Sequence, residues 1–278
     1  MAVQYQQMEL YDKALETLDQ SLALTEKLPA GDKDQIFNMG FINAVRGMIY
    51  RSQSNPDLAL EKFKLAAQNF HLVKQGKMNS ANLSIIYYNI GNCFIDLSKF
   101  AEAMSNFKKS EGYAKISEAA SLEAYALKGQ GESLFLTHQY HDALSVLYRA
   151  EKLAETSGDL VLNEGIYRLL ANSNLVINEF SEFQKYNNKL LEVQKTLEQN
   201  ELKSLNRYLN TQNLEAQETN NEIERKYRMY NWIIIASVLI IVLLLLKKLM
   251  DVRKINRRQK NIIETVTQTD KDRLKPTI

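Results

Sequence analysis

The chain has 278 residues, of which 45% are hydrophobic, and it contains only ten glycines and three prolines. This is a helical composition, with enough apolar residues to bury a core. The single cysteine, Cys93, excludes an internal disulfide framework and a cysteine-based zinc cluster. The formal net charge of +2 is near neutral but unevenly distributed, because ten basic and four acidic residues lie from Lys247 onward.

Similar segments recur through residues 1–199 with a period of about forty. Each segment has a small residue on a predicted first helix and further small and aromatic residues on a second. A small residue lets two helices approach closely, and an aromatic ring fills the remaining space, so the pattern predicts a stack of helical hairpins. The small signature residues are Gly47 and Ala59, Gly91 and Ala103, and Gly131 and Ala143.

The predicted hairpins are separated by turns in which polar or helix-stopping residues cluster. In the two best-defined hairpins, residues 84–97 pair with 100–116, and residues 123–136 pair with 140–155. The turns are predicted at residues 54–56, 98–99, 137–139 and 178–179.

Both ends of the repeat region depart from the pattern. The first unit has its second helix, residues 11–28, but only a short piece of its first helix. Half a hairpin cannot bury its own apolar face, so we expect further sequence upstream. In the fifth unit Phe183 replaces the small residue, and this unit is predicted to be degenerate.

The third unit resembles the tetratricopeptide repeat. It carries Tyr87, Ile90, Gly91, Phe94, Phe100, Ala103 and Phe107 in the order of that family's pattern. The resemblance covers about residues 1–199 and implies an all-α solenoid of helical hairpins whose first helices line a concave groove. The period of 40 to 45 residues exceeds the family's length of about 34, which implies longer helices and loops.

The repeat register predicts a groove that binds a protein or peptide ligand. Aromatic and amide side chains suit an extended peptide or a helix, because an amide can pair with a backbone and a tyrosine supplies contact area. The alternative is that these polar residues are only solvated. The predicted lining residues are Tyr88, Asn89, Asn92, Tyr125, Lys128, Glu132, Arg168 and Asn172.

Some chaperone-binding members of the family hold a C-terminal carboxylate with lysine, asparagine and arginine at set positions. Here Tyr88 and Asn92 occupy the places of the first lysine and asparagine, and Gly129 occupies the place of the next asparagine. The resemblance therefore does not imply that carboxylate site.

Residues 200–229 are predicted to form a polar connecting helix. Positions at alternating spacings of three and four residues, from Leu202 to Tyr230, are apolar at six of nine places. This incomplete apolar stripe is compatible with a coiled coil in a homodimer or with a lone helix.

Residues 230–250 are predicted to be a single transmembrane helix. The run from Trp232 to Leu246 has no charged residue, and its aliphatic side chains favour insertion by about 4 to 7 kcal/mol. Lys247 and Lys248 can extend their ammonium groups towards the headgroups. The full segment is about 31 Å long, which matches a hydrocarbon core of roughly 30 Å.

Two signals predict opposite topologies. Basic residues are more numerous after the span than before it, which places the C-terminus in the cytoplasm and the array in the periplasm. However, the first residues lack the basic, apolar and small-residue regions of a signal peptide. Either the natural chain starts upstream, or the array is cytoplasmic and the span is a C-terminal anchor.

Residues 251–278 are predicted to form a basic juxtamembrane helix, up to residue 264, and then a disordered tail. The basic residues at positions 253–260 are predicted to contact anionic lipid headgroups, at about 1 kcal/mol each, and not nucleic acid.

No enzyme activity, cofactor or metal is predicted. The sequence has no phosphate-binding glycine loop, metal-ligand cluster or nucleophile elbow. His138 and His141 form an HxxH pair without acidic or cysteine partners, and a solvated turn is the preferred interpretation. Cys93 is interpreted as a small packed thiol.

The order of repeat array, polar helix, span and basic helix is similar to that of bacterial membrane-anchored tetratricopeptide sensors. In those proteins the array signals through one span to a histidine kinase or a LuxR-type domain, and residues 261–274 here are similar to the linker that precedes the kinase dimerisation helix. The resemblance implies a regulatory interaction protein that lacks the output domain. The alternatives are a cytoplasmic tail-anchored scaffold or assembly factor, and a remnant of a regulator.

Overall fold

The computed structural model describes residues 1–74 and 76–273, with side chains described as far as Thr265. Every regular element in these ranges is a helix, and consecutive helices pair as hairpins. This confirms the predicted all-α solenoid. The helices are α1 Ala2–Gln7, α2 Tyr11–Thr25, α3 Lys33–Ser52, α4 Pro56–Leu72, α5 Lys77–Asp96, α6 Phe100–Ser117, α7 Ala120–Leu136, α8 Tyr140–Ala154, α9 Leu160–Val176 and α10 Phe180–Arg273.

Glycines on the first helices give room to large side chains on the second helices. A Cβ atom built at Gly91 would lie 2.5 Å from the ring of Phe107, which is closer than real side chains approach. The same contact recurs at Gly47 with Phe63 (2.7 Å) and at Gly131 with Leu147 (2.6 Å). The signature alanines Ala59, Ala103 and Ala143 are fully buried. The interlocking of small and large residues is therefore the basis of these three hairpins.

The turns within the hairpins lie at the predicted places and share one geometry. At the turn between α5 and α6, Ser98 has a left-handed conformation (φ 56°), and the Lys99 N–H donates to the Phe94 carbonyl oxygen at 2.8 Å. This is the hydrogen bond of a Schellman motif, which satisfies a carbonyl at the helix end. The equivalent left-handed residues are Glu9, Ser54, His138 and Asn178.

The α5 helix begins at Lys77, seven residues before the predicted start. The added turns are polar in sequence, yet Asn79 is buried and donates a hydrogen bond to the Phe70 carbonyl at 2.8 Å. The predicted start of α5 was wrong because the burial of Asn79 depends on its contact with α4. The pattern of apolar residues within α5 alone contains no information on that contact.

Half-buried carboxylates on the second helices form ion pairs with the next hairpin. Glu111 on α6 lies 3.3 Å from Arg149 on α8, and Glu151 on α8 lies 2.7 Å from Lys189 on α10. Both pairs join residues 38 positions apart, and the second pair is one repeat period of forty after the first. These ion pairs therefore repeat with the fold.

The fifth hairpin keeps an apolar core although its sequence departs from the pattern. Tyr186 is buried among residues of α8 and α9, and Phe183 packs half-buried against the same cluster. The large side chain at position 183 is therefore accommodated at the edge of the core.

The chain divides into two compact units, Met1–Glu201 and Leu202–Ile278, and α10 contributes to both. In the second unit the apolar run from Trp232 to Leu246 is exposed. An 18-residue window of this helix has a mean hydropathy of 2.7 and none of it is buried, so length and composition suffice for crossing a membrane. The helix continues to Arg273, beyond its predicted end, and the predicted disorder of residues 274–278 lies outside the described residues.

Candidate functional site: a groove on the first helices

Lys128 on α7 connects three successive first helices. Its Nζ atom donates to the Tyr88 hydroxyl of α5 at 3.1 Å and lies 5.7 Å from the centre of that ring. Its stem runs past Gly165 of α9, where an added Cβ would lie 3.1 Å from the lysine Cε. Gly165 therefore provides the room in which the lysine side chain lies.

Tyr125 on α7 is fixed by the start of α9. Its hydroxyl donates to Asp159 Oδ2 at 2.7 Å, while Asp159 Oδ1 accepts the Leu162 N–H at 3.0 Å as the N-cap of α9. The Tyr125 ring stands edge-on to Tyr88, with 5.4 Å between the ring centres. The two tyrosines form a rigid aromatic corner beside Lys128.

The protonation states of this corner follow from burial and neighbouring charges. Burial lowers the pKa of Lys128, but the Tyr88 hydroxyl and the Glu132 carboxylate, 4.0 Å away, outweigh it and raise the pKa overall. Burial raises the pKa of Tyr125, and the hydrogen bond to Asp159 raises it further. At neutral pH Lys128 is therefore present as an ammonium group and the Tyr125 hydroxyl is neutral.

An apolar pocket of about 270 Å³ lies beside this corner, between α5 and α7. Ile85, Leu122 and the rings of Tyr88 and Tyr125 form its walls. Asn89 lies at the pocket and donates to the Ile85 carbonyl at 2.9 Å, which leaves its side-chain oxygen as a hydrogen-bond acceptor. The pocket suits a single bulky apolar side chain, with polar groups beside it for a peptide backbone.

The structure brings together five of the eight predicted groove residues: Tyr88, Asn89, Tyr125, Lys128 and Glu132. The other three do not contact this group directly or are not accessible. Arg168 pairs with Glu164 at 3.5 Å and is close enough for its charge to oppose protonation of Lys128. Asn172 is exposed on α9, whereas Asn92 is only 6% exposed and offers little surface to a ligand.

The sequence reasoning missed Ile85, Leu122 and Asp159. Asp159 was recognisable as a helix start, because it precedes an apolar run and can cap α9. Its hydrogen bond with Tyr125, 34 positions earlier, has no local signal.

A second missed feature is a polar cavity of about 590 Å³ beside Arg51 and Asp96. The Arg51 guanidinium binds the Asp96 carboxylate through two hydrogen bonds, at 2.7 and 3.3 Å. The two residues lie at the C-terminal ends of α3 and α5, so the repeat register contained the signal for this pair.

The histidines and the cysteine of the repeat region lie in separate places. His138 is exposed in its turn, with Nδ1 2.7 Å from the Tyr140 hydroxyl, and the parts of the chain with described coordinates hold no group of three potential metal ligands. Cys93 is fully buried, and this burial raises the pKa of its thiol to about 12.

Neither a protein-family model nor a curated protein matches the chain. Solved structures show the class of fold. Aspartyl phosphate phosphatase F from Bacillus subtilis superposes with a TM-score of 0.58 at 15% identity, over 70% of this chain and 49% of that one. BtubC (BKLC) from P. vanneervenii gives a TM-score of 0.57 at 16% identity, over 71% and 78%.

A putative kinesin light chain from Podosopora anserina with nearly identical TPR-like repeats gives a TM-score of 0.50 at 11% identity, over 71% of this chain and 93% of that one. The chain spans about half the length of the Bacillus protein that it matches. At these identities the likeness establishes the fold, which is that of tetratricopeptide-like repeat proteins.

Proposed function

We propose that this chain is a membrane-anchored, non-enzymatic interaction module, the sensory or regulatory part of a bacterial signalling protein. Its groove binds a peptide or protein through a bulky apolar side chain. The observation that carries this proposal is the apolar pocket between Tyr88 and Tyr125 with the Lys128 ammonium beside it. Rigid aromatic walls with a few polar groups are typical of peptide-binding sites.

The groove is tested by panning a displayed peptide library against the full chain in nonionic detergent. We expect peptides with a shared large apolar residue. Leu122→Arg places a charged side chain at the pocket and should reduce binding of the selected peptides at least about tenfold.

The control is Leu65→Arg, which makes the same change at an exposed position on α4. Its binding should stay within about twofold of the unmodified chain. Equal loss in both variants, or selected peptides without an apolar residue in common, would contradict the proposed groove.

The apolar part of α10 supports the membrane anchor, since no side chain in its most hydrophobic window is buried within the chain. We propose that residues 230–250 cross the membrane and that the basic residues after the span contact anionic headgroups on the cytoplasmic side. The repeat array then lies in the periplasm.

Protease added to spheroplasts tests this topology. Digestion of the array without lysis is expected for a periplasmic array. Digestion only after lysis would instead support the cytoplasmic tail-anchored scaffold. Complete release of the protein from membranes by alkali or high salt would contradict both forms of the anchor.

A further inference from the structure

A further pocket lies on the side of α5 that faces away from the groove pocket. It has a volume of about 370 Å³ and lies between the second helices α4 and α6. Successive residues of a helix are turned by about 100°, so Tyr87, Ile90 and Phe94 fall on one side of α5, while Ile85 and Tyr88 fall on the other. The two pockets are therefore separate sites.

The lining of this pocket combines cationic and amide groups with an apolar floor. Ala67, Ile90 and Phe94 form the floor. Among the described residues that line the pocket there is no carboxylate, and Glu61, one turn before Lys64, pairs with Lys62 at 2.7 Å. The polar lining residues, which we call the cationic pocket, are Lys64, Gln68, His71, Tyr87, Asn106 and Lys109.

One wall of the cationic pocket is held rigidly. The ring of Tyr87 is stacked on Tyr113 with 5.5 Å between centres and an angle of 2° between planes. His71 Nε2 lies 2.9 Å from the Tyr87 hydroxyl, and Lys109 Nζ lies 5.3 Å from the centre of the Tyr87 ring. The ammonium group of Lys109 is therefore held over an aromatic face and has no carboxylate beside it in the lining.

We infer that the cationic pocket binds a small anionic ligand in which a carboxylate or phosphate is attached to an apolar body. Lys64, Lys109 and the Gln68 amide supply donors for the anionic group, and charge-assisted hydrogen bonds from the two lysines are the strongest available to such a ligand. Phe94, Ile90 and the Tyr87 wall cover the apolar body. The volume lies in the lower part of the range for small-molecule sites.

The test uses the full chain in nonionic detergent and isothermal titration calorimetry, with empty detergent as the blank. The probes are phenyl phosphate, which carries a phosphate group on a phenyl ring, phenylacetate, which carries a carboxylate group on a phenyl ring, and benzyl alcohol, which is neutral. We expect saturable binding of at least one anion with a dissociation constant of roughly 0.1 to 10 mM, as is usual for ligands of this size. Benzyl alcohol should bind at least about tenfold more weakly.

Lys109→Met and Lys108→Met form a matched pair of variants. Both remove one positive charge from adjacent positions of α6, but Lys108 lines a different cavity with Phe100 and Met104. Lys109→Met should weaken binding of the anion at least about fivefold, and Lys108→Met less than about twofold. Circular dichroism checks that both variants are folded.

Three results would overturn the inference. The first is the absence of saturation by either anion up to about 20 mM, well above the expected range. The second is equally tight binding of benzyl alcohol, which would indicate an apolar cavity without anion recognition. The third is an equal effect of Lys108→Met and Lys109→Met, which would indicate a general effect of surface charge.

Discussion

At the scale of single residues, the fold depends on glycines that give room to one ring. Phe107 lies between Gly91 of its own hairpin and Gly129 of the next, and a Cβ at these positions would lie 2.5 and 2.4 Å from the ring. The ring cannot move away from one contact without closing the other. Gly129, which the sequence register placed at a ligand-binding position of related proteins, therefore has a packing role here.

Gly129→Ala is expected to destabilise the array. The clash with Phe107 should cost about 1 to 3 kcal/mol, which exceeds the gain of up to about 1 kcal/mol from the better helix propensity of alanine. The midpoint of thermal unfolding, followed by circular dichroism, should fall.

Gly112→Ala is the control, because an added Cβ at position 112 meets no atom within 4 Å. This variant should be more stable than the unmodified chain by about 0.5 to 1 kcal/mol. A second control is Phe107→Leu in the Gly129→Ala background, which should recover part of the loss. Equal stability of the two alanine variants would show that the close contact is not limiting.

At the scale of the helices, the two helices of a hairpin are joined by a turn that places a residue other than glycine in the left-handed region. Ser54 and Ser98 adopt φ values of 57° and 56°. For such residues the left-handed conformation costs roughly 1 to 2 kcal/mol, because the Cβ approaches the following carbonyl oxygen. The Schellman hydrogen bonds of the turn hold the conformation against this cost.

Ser98→Gly is therefore expected to stabilise the chain by about 1 kcal/mol, because glycine adopts positive φ without a steric cost. Ser105→Gly introduces the same residue within α6 at an exposed position and should destabilise by about 0.5 kcal/mol. Denaturant unfolding of both variants measures the difference. Destabilisation by Ser98→Gly would show that the serine side chain contributes more than the backbone conformation costs.

Stability depends on pH through Glu111, which accepts hydrogen bonds from Lys115 and Gln130 and also pairs with Arg149. Burial raises the pKa of this carboxyl group, but hydrogen bonds from Lys115 (2.6 Å) and Gln130 (2.7 Å) help to lower it overall. A carboxyl group with a lowered pKa in the folded state stabilises above the ordinary glutamate pKa of about 4.3. This contribution is lost as the pH falls through the folded-state pKa.

Glu111→Gln should lower the free energy of unfolding at pH 7 by about 1 kcal/mol, since two of the partners are largely exposed to solvent. The difference from the unmodified chain should begin to shrink as the pH falls below about 4.3 and should be lost once the pH has fallen through the lowered folded-state pKa, because the Glu111 carboxyl group is then as neutral as the glutamine. Unfolding measured at pH 7, 5 and 3.5 checks the trend. A difference that stays constant with pH would mean that shape, and not charge, determines the effect.

At the scale of the whole molecule, one helix contains both the last element of the repeat array and the apolar segment. The side chains of α10 change from mostly polar to almost entirely apolar along the chain, while the helix itself continues without a break. On the insertion scale for transmembrane helices, the apolar segment favours insertion by about 4 to 7 kcal/mol. Two charged residues near its centre should cancel this free energy.

Ile240→Lys combined with Leu243→Lys places two ammonium groups near the middle of the proposed span, at a cost of roughly 2.5 to 3.5 kcal/mol each. The doubly substituted chain should move from the alkali-resistant membrane fraction to the alkali-extracted fraction. Asn213→Lys with Gln217→Lys adds the same charges to an exposed polar part of α10 and should leave the protein in the membrane fraction. Retention of the first variant would contradict the proposed anchor.

Much of the groove was predictable because it repeats. Tyr88, Lys128 and Arg168 occupy equivalent positions in successive first helices, forty residues apart, so the register alone places them on one surface. The burial of Asn92 was not predictable, since it depends on how closely the neighbouring helices approach. The start of α5 was missed for the same reason.

The sequence by itself determined the helical hairpins, their register and the apolar segment, because each depends on periodicity within a few turns or on a run of like residues. The tertiary structure alone decided which side chains meet across repeats. It places Lys128 between Tyr88 and Gly165, and it forms the cationic pocket around Tyr87 between α4 and α6. These contacts depend on the distance between helices and on side-chain rotamers, which packing of the whole array sets.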